Sequence, residues 1–345
     1  MKSRTYFTIC SNNYLAQATV LGKSVMQHDP SSSFLIVLAD RKSEVIDYRD
    51  IPFEVLPTTS FEPLSDELSI KYDIIEFNTC IKPRVIEYLF TERGAEQAIY
   101  LDPDIRVYAP LAEVDEALKT ANVALTPHAY TPITPDGKGP TDNLFLRFGV
   151  YNLGFIALKR NDETLRLVRW WKDRTFTSGF SRPADGQFVD QLYINLAPIF
   201  FEGVSLLRHE GYNVAPWNFH ERTLSVDDGI YRVNGDKPLV FFHFSSFRID
   251  SGELPVHHYN RYAMRDRPDL VELHAKYNDE LKAAGYLRYA RIRWAYAPPE
   301  RERSALLDAK RKAGALIRNG LIWGVRRLPV PITERAFQIL RDAKK

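Results

Sequence analysis

Tyr100-Leu-Asp-Pro-Asp-Ile-Arg106 decides the reading of this chain. With Ala98 and Ile99 it forms a short apolar run of strand type that ends in two carboxylates, Asp102 and Asp104, on either side of Pro103. Proline biases the residue before it toward extended backbone, and side chains at i and i+2 of an extended segment point the same way. That spacing predicts two carboxylates on one face, about 6 to 7 Å apart at the backbone, repelling by roughly 2 to 3 kcal/mol at an effective dielectric near 20. A divalent cation removes this cost. Oxygen ligands suit Mg²⁺ or Mn²⁺, which complete their shells with water and substrate phosphates. Asp-Pro-Asp is also ordinary turn chemistry, so the rest of the chain must decide between a metal-diphosphate site and a plain turn.

Upstream, Thr5 to Cys10 reads as a strand and Asn12 to Met26 as a helix, with Leu15, Ala18, Leu21 and Val25 at helical spacing. Phe34 to Asp40 is a second, continuously apolar strand with an acidic carboxyl end, the pattern of a strand covered on both faces. A short strand is expected at Phe53 to Leu56 and a helix at Ile81 to Arg93. This alternation predicts an α/β fold with a mainly parallel sheet, whose ligands lie outside the carboxyl ends of the strands. The turn after the first strand reads Cys10-Ser-Asn-Asn-Tyr-Leu. It lacks the glycines of a dinucleotide fingerprint, and no P-loop motif occurs elsewhere, so phosphate must be held some other way.

Downstream, a helix is expected at Leu111 to Thr120, a strand at Val123 to Thr126 and a Pro/Gly-rich loop from Pro127 to Pro140. Val150 to Leu158 is a strong strand interrupted by Asn152 and Gly154, and a glycine there lets a neighbour come close or marks a bulge. A helix over Asp162 to Trp171 takes Asn161 or Asp162 as its cap. Pro183 to Leu196 reads as a loop entering a helix, where Asp190, Gln191 and Asn195 either face a ligand or form a solvated face. Leu239 to Ser246 is a final apolar strand that sets His243 among aromatics, as a core residue or a ligand.

Several of these stretches together resemble GT-A-type glycosyltransferases, most closely the retaining enzymes of glycosyltransferase family 8 and related bacterial enzymes. The pieces are Phe7 to Tyr14, Ala98 to Tyr108, Tyr151 to Leu158, Asp190-Gln191 with Asn195, and Phe242 to Ser245, in the family's order over roughly residues 1 to 250. The resemblance implies a Rossmann-like GT-A sheet flanked by helices. It further implies that Asp102, Asp104 and His243 hold Mn²⁺ (or Mg²⁺) against the diphosphate of a nucleotide-sugar donor, most typically a UDP-sugar. Thr8, Cys10, Ser11, Tyr14 and Asp40 would then lie near the base and ribose, and Lys82 near the donor. Asn152, Asp190 and Gln191 would hold the transferred sugar and carry catalysis. Where the family continues with glycine and a Lys-Pro-Trp-like run after its histidine, this chain has Phe244-Ser-Ser-Phe-Arg248, with Arg248 as the substitute cation. The implied activity is transfer, with retention, to a hydroxyl of a glycan or lipid-linked acceptor in bacterial surface polysaccharide or glycoconjugate synthesis. A sugar nucleotidyltransferase and a non-catalytic nucleotide or carbohydrate binder are the alternatives.

Composition is that of an ordinary globular protein: 345 residues, 45% hydrophobic, two cysteines, and a formal charge of +2. Two cysteines make no disulfide framework, and the N-terminus lacks the pattern of a signal peptide, so a cytoplasmic location is expected. Residues 301–345 carry 12 Lys/Arg against 4 Asp/Glu, a net of +8 that leaves −6 on residues 1–300. The expected organisation is a nucleotide-sugar-binding catalytic domain over 1–250, a helical extension over 251–300 packed on it, and a basic amphipathic tail. Leu306, Leu316, Ile317 and Trp323 interleaved with Lys310, Arg311, Lys312 and Arg318 fit either an anionic membrane surface or a plain docking helix. No nucleic-acid partner is expected.

Overall fold

The computed structural model of the chain describes residues 3–255 and 259–297. The described residues up to Tyr296 form one compact unit. The basic tail over 301–345, with its expected membrane role, lies outside the described residues.

A seven-stranded sheet organises this unit. Its strands are β1 (Arg4–Cys10), β2 (Ser33–Leu38), β3 (Glu54–Pro57), β4 (Gln97–Leu101), β6 (Val123–Pro127), β7 (Tyr151–Lys159) and β10 (Val204–Leu206). A short β5 (Ile105–Val107) follows β4, and β8 with β9 (Ser181–Arg182, Gln187–Phe188) form a small ribbon. β11 to β13 (Leu224–Asp227, Ile230–Val233, Lys237–Pro238) make an antiparallel meander, and β14 (Phe241–His243) pairs antiparallel with β5. The sheet order is β10-β6-β7-β4-β1-β2-β3. All its pairs are parallel except those of β7 with β4 and with β6. The fold is therefore a mixed, mainly parallel sheet flanked by helices.

Burial explains the strand sequences. β2 is buried from Phe34 to Leu38, as its unbroken apolar run requires of a strand covered on both faces. α1 (Leu15–His28) buries Leu15, Ala18, Leu21 and Val25 in the core that also holds Ile36, Ile99, Leu101 and Phe155. α2 (Ser65–Lys71) and α3 (Ile74–Cys80) precede α4 (Lys82–Thr91). α3 starts on a capping box in which Asp73 accepts from the Glu76 backbone N–H while the Glu76 side chain accepts from that of Asp73. α5 (Ala112–Thr120) and α6 (Asp142–Phe148) flank β6 in sequence. α7 (Asp162–Ser178) is capped by Asn161, whose side chain accepts from Thr164 N–H at 2.8 Å.

α7 continues seven residues past the predicted end at Trp171. Thr175 is buried there and donates from Oγ1 to Cys80 O, so a tertiary contact extends a helix whose apolar spacing has already faded. Beyond α8 (Gln191–Ile194) and α9 (Ala197–Phe200), α10 (Val271–Ala283) and α11 (Tyr286–Tyr289) return to the body. α10 packs Leu273, Tyr277 and Leu281 with Val20, Phe242 and Phe244 in a second apolar cluster, and the Phe244 and Tyr277 rings stack 3.7 Å apart. Among the described residues, no helix is long and apolar enough to cross a membrane.

Candidate functional site

The aspartates are brought together by a turn rather than by strand alternation. Beyond Leu101 the chain reverses, and Ile105 N–H donates to Asp102 O at 3.0 Å, closing a four-residue turn with Pro103 in the position that its fixed φ suits. The extended geometry expected for Asp102-Pro103-Asp104 is thus not what aligns the carboxylates. Two further backbone bonds pin the turn: Asp102 N–H donates to Gly154 O (2.8 Å), and Phe244 N–H to Asp104 O (2.9 Å). β14 pairs His243 with Ile105, so the imidazole arrives beside Asp104.

His243 Nε2 lies 3.0 Å from Asp104 Oδ1 and 3.7 Å from Asp102 Oδ2. One ligand atom from each of the three residues lies within 4.8 Å of the others. The Tyr100 hydroxyl donates to Asp102 Oδ1 at 2.6 Å and fixes that carboxylate. Burial lifts the Asp102 carboxyl above the ordinary carboxylate range, while Lys82 and His243 pull it back. Burial opposes charge on the His243 ring, yet Asp104 and then Asp102 outweigh it and raise the ring above the ordinary histidine value. Two carboxylates and one imidazole, with no thiolate, are a donor set that fits Mn²⁺ or Mg²⁺. The thiol of Cys10 is pushed up by burial and stays out of this chemistry.

Gly154 is what lets the ring in. A Cβ at this position would stand 2.5 Å from His243 Cε1 and 2.8 Å from Asn152 Oδ1. Gly154→Ala is therefore expected to cost about 1–3 kcal/mol by overpacking, read from urea denaturation, and to weaken Mn²⁺ uptake by displacing His243. A variant with wild-type stability and wild-type metal uptake would contradict this.

Behind the turn sits a buried ion pair. Lys82 Nζ is 2.6 Å from Asp190 Oδ2, with both side chains 2% exposed, and it also donates to Leu153 O at 2.8 Å. The ammonium lies 4.1 Å from the centre of the Tyr100 ring. Lys82 is thus not presented to the cleft as a donor contact; it is spent beneath the aspartates and acts on Asp102 by charge. Burial lifts the Asp190 carboxyl, and Lys82 offsets part of that rise. Gln191 accepts from Leu153 N–H at 2.9 Å and donates to Phe148 O at 2.9 Å, which locks its amide at the start of β7. Asn152 is buried beside it, and its Oδ1 accepts from Gly154 N–H at 3.2 Å.

A cleft of about 370 Å³ opens next to the aspartates. Cys10, Ser11, Asn13 and Tyr14 line one wall, Ile74, Ile75, Asn78 and Thr79 of α3 the other, and Tyr100, Asp102 and Asp104 the end. Three expected nucleotide contacts are placed elsewhere. Thr8 is fully buried within β1 and does not line the cleft. Asp40 is fully buried, and its carboxylate is taken up by Asn12 Nδ2 (2.9 Å), Arg41 N–H (2.9 Å) and Ala295 N–H (2.9 Å). Arg248 follows Ser246, whose φ of 60° turns the chain, and lines a separate cleft that shares no residue with the first. The α3 wall was not anticipated, because Ile74 to Cys80 carries only two buried positions and little apolar periodicity; the Asp73…Glu76 capping pair was the available signal.

No family model matches this chain. It is 28% identical over 281 residues to the uncharacterized protein YfnF of Bacillus subtilis (strain 168), covering 80% of this chain and 91% of that one. To the uncharacterized protein YfnD of the same organism it is 23% identical over 256 residues, covering 72% and 79%. Among solved structures it is similar to the galactosyltransferase LgtC in complex with donor and acceptor sugar analogues (TM-score 0.46, 14% identity, 87% of this chain and 99% of that one). It is also similar to a glycosyltransferase involved in glycosylation of the major capsid of PBCV-1 (TM-score 0.42, 9% identity, 81% and 98%).

Proposed function

We propose that this chain is a metal-dependent glycosyltransferase that moves a sugar from a nucleoside-diphosphate sugar, a UDP-sugar in the first instance, to a hydroxyl of a glycan or lipid-linked acceptor. The observation that carries this reading is the convergence of Asp102, Asp104 and His243 at the end of a cleft, on the carboxyl edge of a mainly parallel sheet. Asp102, Asp104 and His243 would hold the cation, and Tyr100 would keep Asp102 oriented. When bound, a divalent ion stabilises the negative charge that develops on the departing diphosphate. The polar wall of Ser11, Asn13 and Asn78 would take the nucleoside end, and Asn152 with Gln191, held at the start of β7 outside that lining, would mark the sugar side. Retention fits the same site, since Asp190 is tied to Lys82 and, among the described residues lining the cleft, Asp102 and Asp104 are the carboxylates.

A glycoside hydrolase is disfavoured by geometry. Its two carboxyl groups must flank a sugar at about 5 Å or more. Here both carboxylates reach the same imidazole nitrogen.

Incubation with Mn²⁺ and a panel of nucleotide-sugars tests the proposal. Slow release of a nucleoside diphosphate from one donor, abolished by EDTA, is the expected result. Formation of pyrophosphate from a nucleoside triphosphate and a sugar phosphate would replace this reading with a nucleotidyltransferase.

A further inference from the structure

Asn213 belongs to no catalytic assignment, yet it is fully buried between the two halves of the site. Its backbone has a φ of 54°, a region in which asparagine and aspartate are tolerated. Its side chain bridges outward on both sides. Nδ2 lies 3.0 Å from Asn152 Oδ1 and 3.1 Å from Thr126 Oγ1, and Oδ1 lies 3.3 Å from His243 Nδ1.

The direction of every bond in this chain follows from one fixed donor. Gly154 N–H can only donate, so the Asn152 atom it meets is the carbonyl oxygen. The Asn213 atom facing that oxygen must then be the amide nitrogen, because two carbonyl oxygens would repel. Asn213 consequently turns its own oxygen to His243 and demands a proton on Nδ1. The other ring nitrogen, Nε2, is the one aimed at Asp104 and Asp102. Asn152 Nδ2 in turn faces His128 Nε2 at 3.3 Å, and burial depresses the His128 pKa to about 4, so that ring is a neutral acceptor.

From this geometry we infer that Asn213 is a positioning residue: it holds the His243 ring with Nδ1 protonated and Nε2 presented to a divalent cation, and ties that orientation to Asn152 at the start of β7. The inference rests on the metal-site reading above. Partners behind a metal-bound imidazole fix the ring and its tautomer, and their loss commonly weakens metal binding by about 10- to 100-fold.

Two variants that both tolerate the positive φ separate positioning from backbone strain. Asn213→Asp keeps an acceptor for Nδ1–H, whereas Asn213→Gly removes it. In full-length protein titrated with Mn²⁺ alone and followed by EPR of the free ion, Asn213→Gly is expected to bind about 10- to 100-fold more weakly. Asn213→Asp keeps that acceptor but turns a second oxygen on Asn152 Oδ1, so it should bind more weakly than wild type yet clearly more tightly than the glycine variant. Wild-type affinity in the glycine variant, or an aspartate variant as weak as the glycine one, would overturn the inference. A second readout needs neither variant to fold. In metal-free wild-type protein carrying ¹⁵N-histidine, at a pH high enough to leave the ring neutral, His243 should show a solvent-protected Nδ1–H and an unprotonated Nε2, assigned by its disappearance in His243→Gln and retained when Mg²⁺ is added. An unprotonated Nδ1 would refute the arrangement. If wild type takes up no Mn²⁺, the metal reading fails, and the Nδ1–H signal still decides the role of Asn213.

Discussion

Replacing Asp102 with Ala is expected to slow Mn²⁺-dependent release of nucleoside diphosphate by at least about 10² to 10³-fold, the usual effect of losing one group that stabilises developing charge. The substitution removes one of two anionic ligands and strips the Tyr100 hydroxyl, itself buried, of its 2.6 Å acceptor. Those two losses are separable. Asp102→Asn keeps an oxygen for Tyr100 but not the charge, so it should share the kinetic defect while melting close to wild type. The alanine variant should be less stable by about 1–3 kcal/mol, the cost of an unsatisfied buried donor. Undiminished turnover in either variant, measured by a coupled assay for the released diphosphate, would remove the aspartates from the mechanism.

The largest effect on stability is expected at Lys82. Lys82→Met leaves the Asp190 carboxylate buried without its counter-ion, and breaking one side of such a pair typically costs about 3–5 kcal/mol. The loss should depend on pH in a definite sense. Burial already holds the folded Asp190 carboxyl above its ordinary value of 3.8, and without Lys82 it rises further. A carboxyl whose folded pKa exceeds its unfolded one destabilises the fold once pH climbs past the unfolded value, and most fully above the folded one. Urea denaturation should therefore show a deficit that shrinks as pH falls toward 4. Converting both partners to apolar residues, Lys82→Met with Asp190→Leu, should recover much of the deficit at neutral pH. A pH-independent loss would mean that the ammonium matters by packing on Tyr100 instead.

How much of this was readable beforehand depends on the range of the interaction. The strand ending in Asp102 and Asp104 announces itself through an apolar run and a proline, all within seven residues. β1, β2, α1 and α4 follow from periodicity in the same way, with bounds shifted by a few residues. Asp40 misled because its acidity at a strand end is local information, whereas its partner Ala295 lies 255 positions away. For Lys82, spacing marks a cation near the site, and only the tertiary fold shows Asp190 and Leu153 as its partners. Asn213 stands in a short β-like stretch, Tyr212 to Trp217, but local sequence gives it no role, since its meaning arises where β7, β14 and the segment between β10 and β11 meet.

β7 runs against its neighbour β4, so the amino end of one strand and the carboxyl end of the other meet at the same edge. The aspartates therefore come from a strand ending, and Asn152 from a strand beginning, fed by the segment of residues 128–150. This splits the edge into two parts of different origin, joined through Asn213. The turn between β4 and β5 is bound on both sides by backbone pairing, while the segment ahead of β7 enters from outside the sheet. On the proposed function, exchange of that segment would be a route, in evolution or in the laboratory, to a different sugar or acceptor with the turn of Asp102 and Asp104 left as it stands.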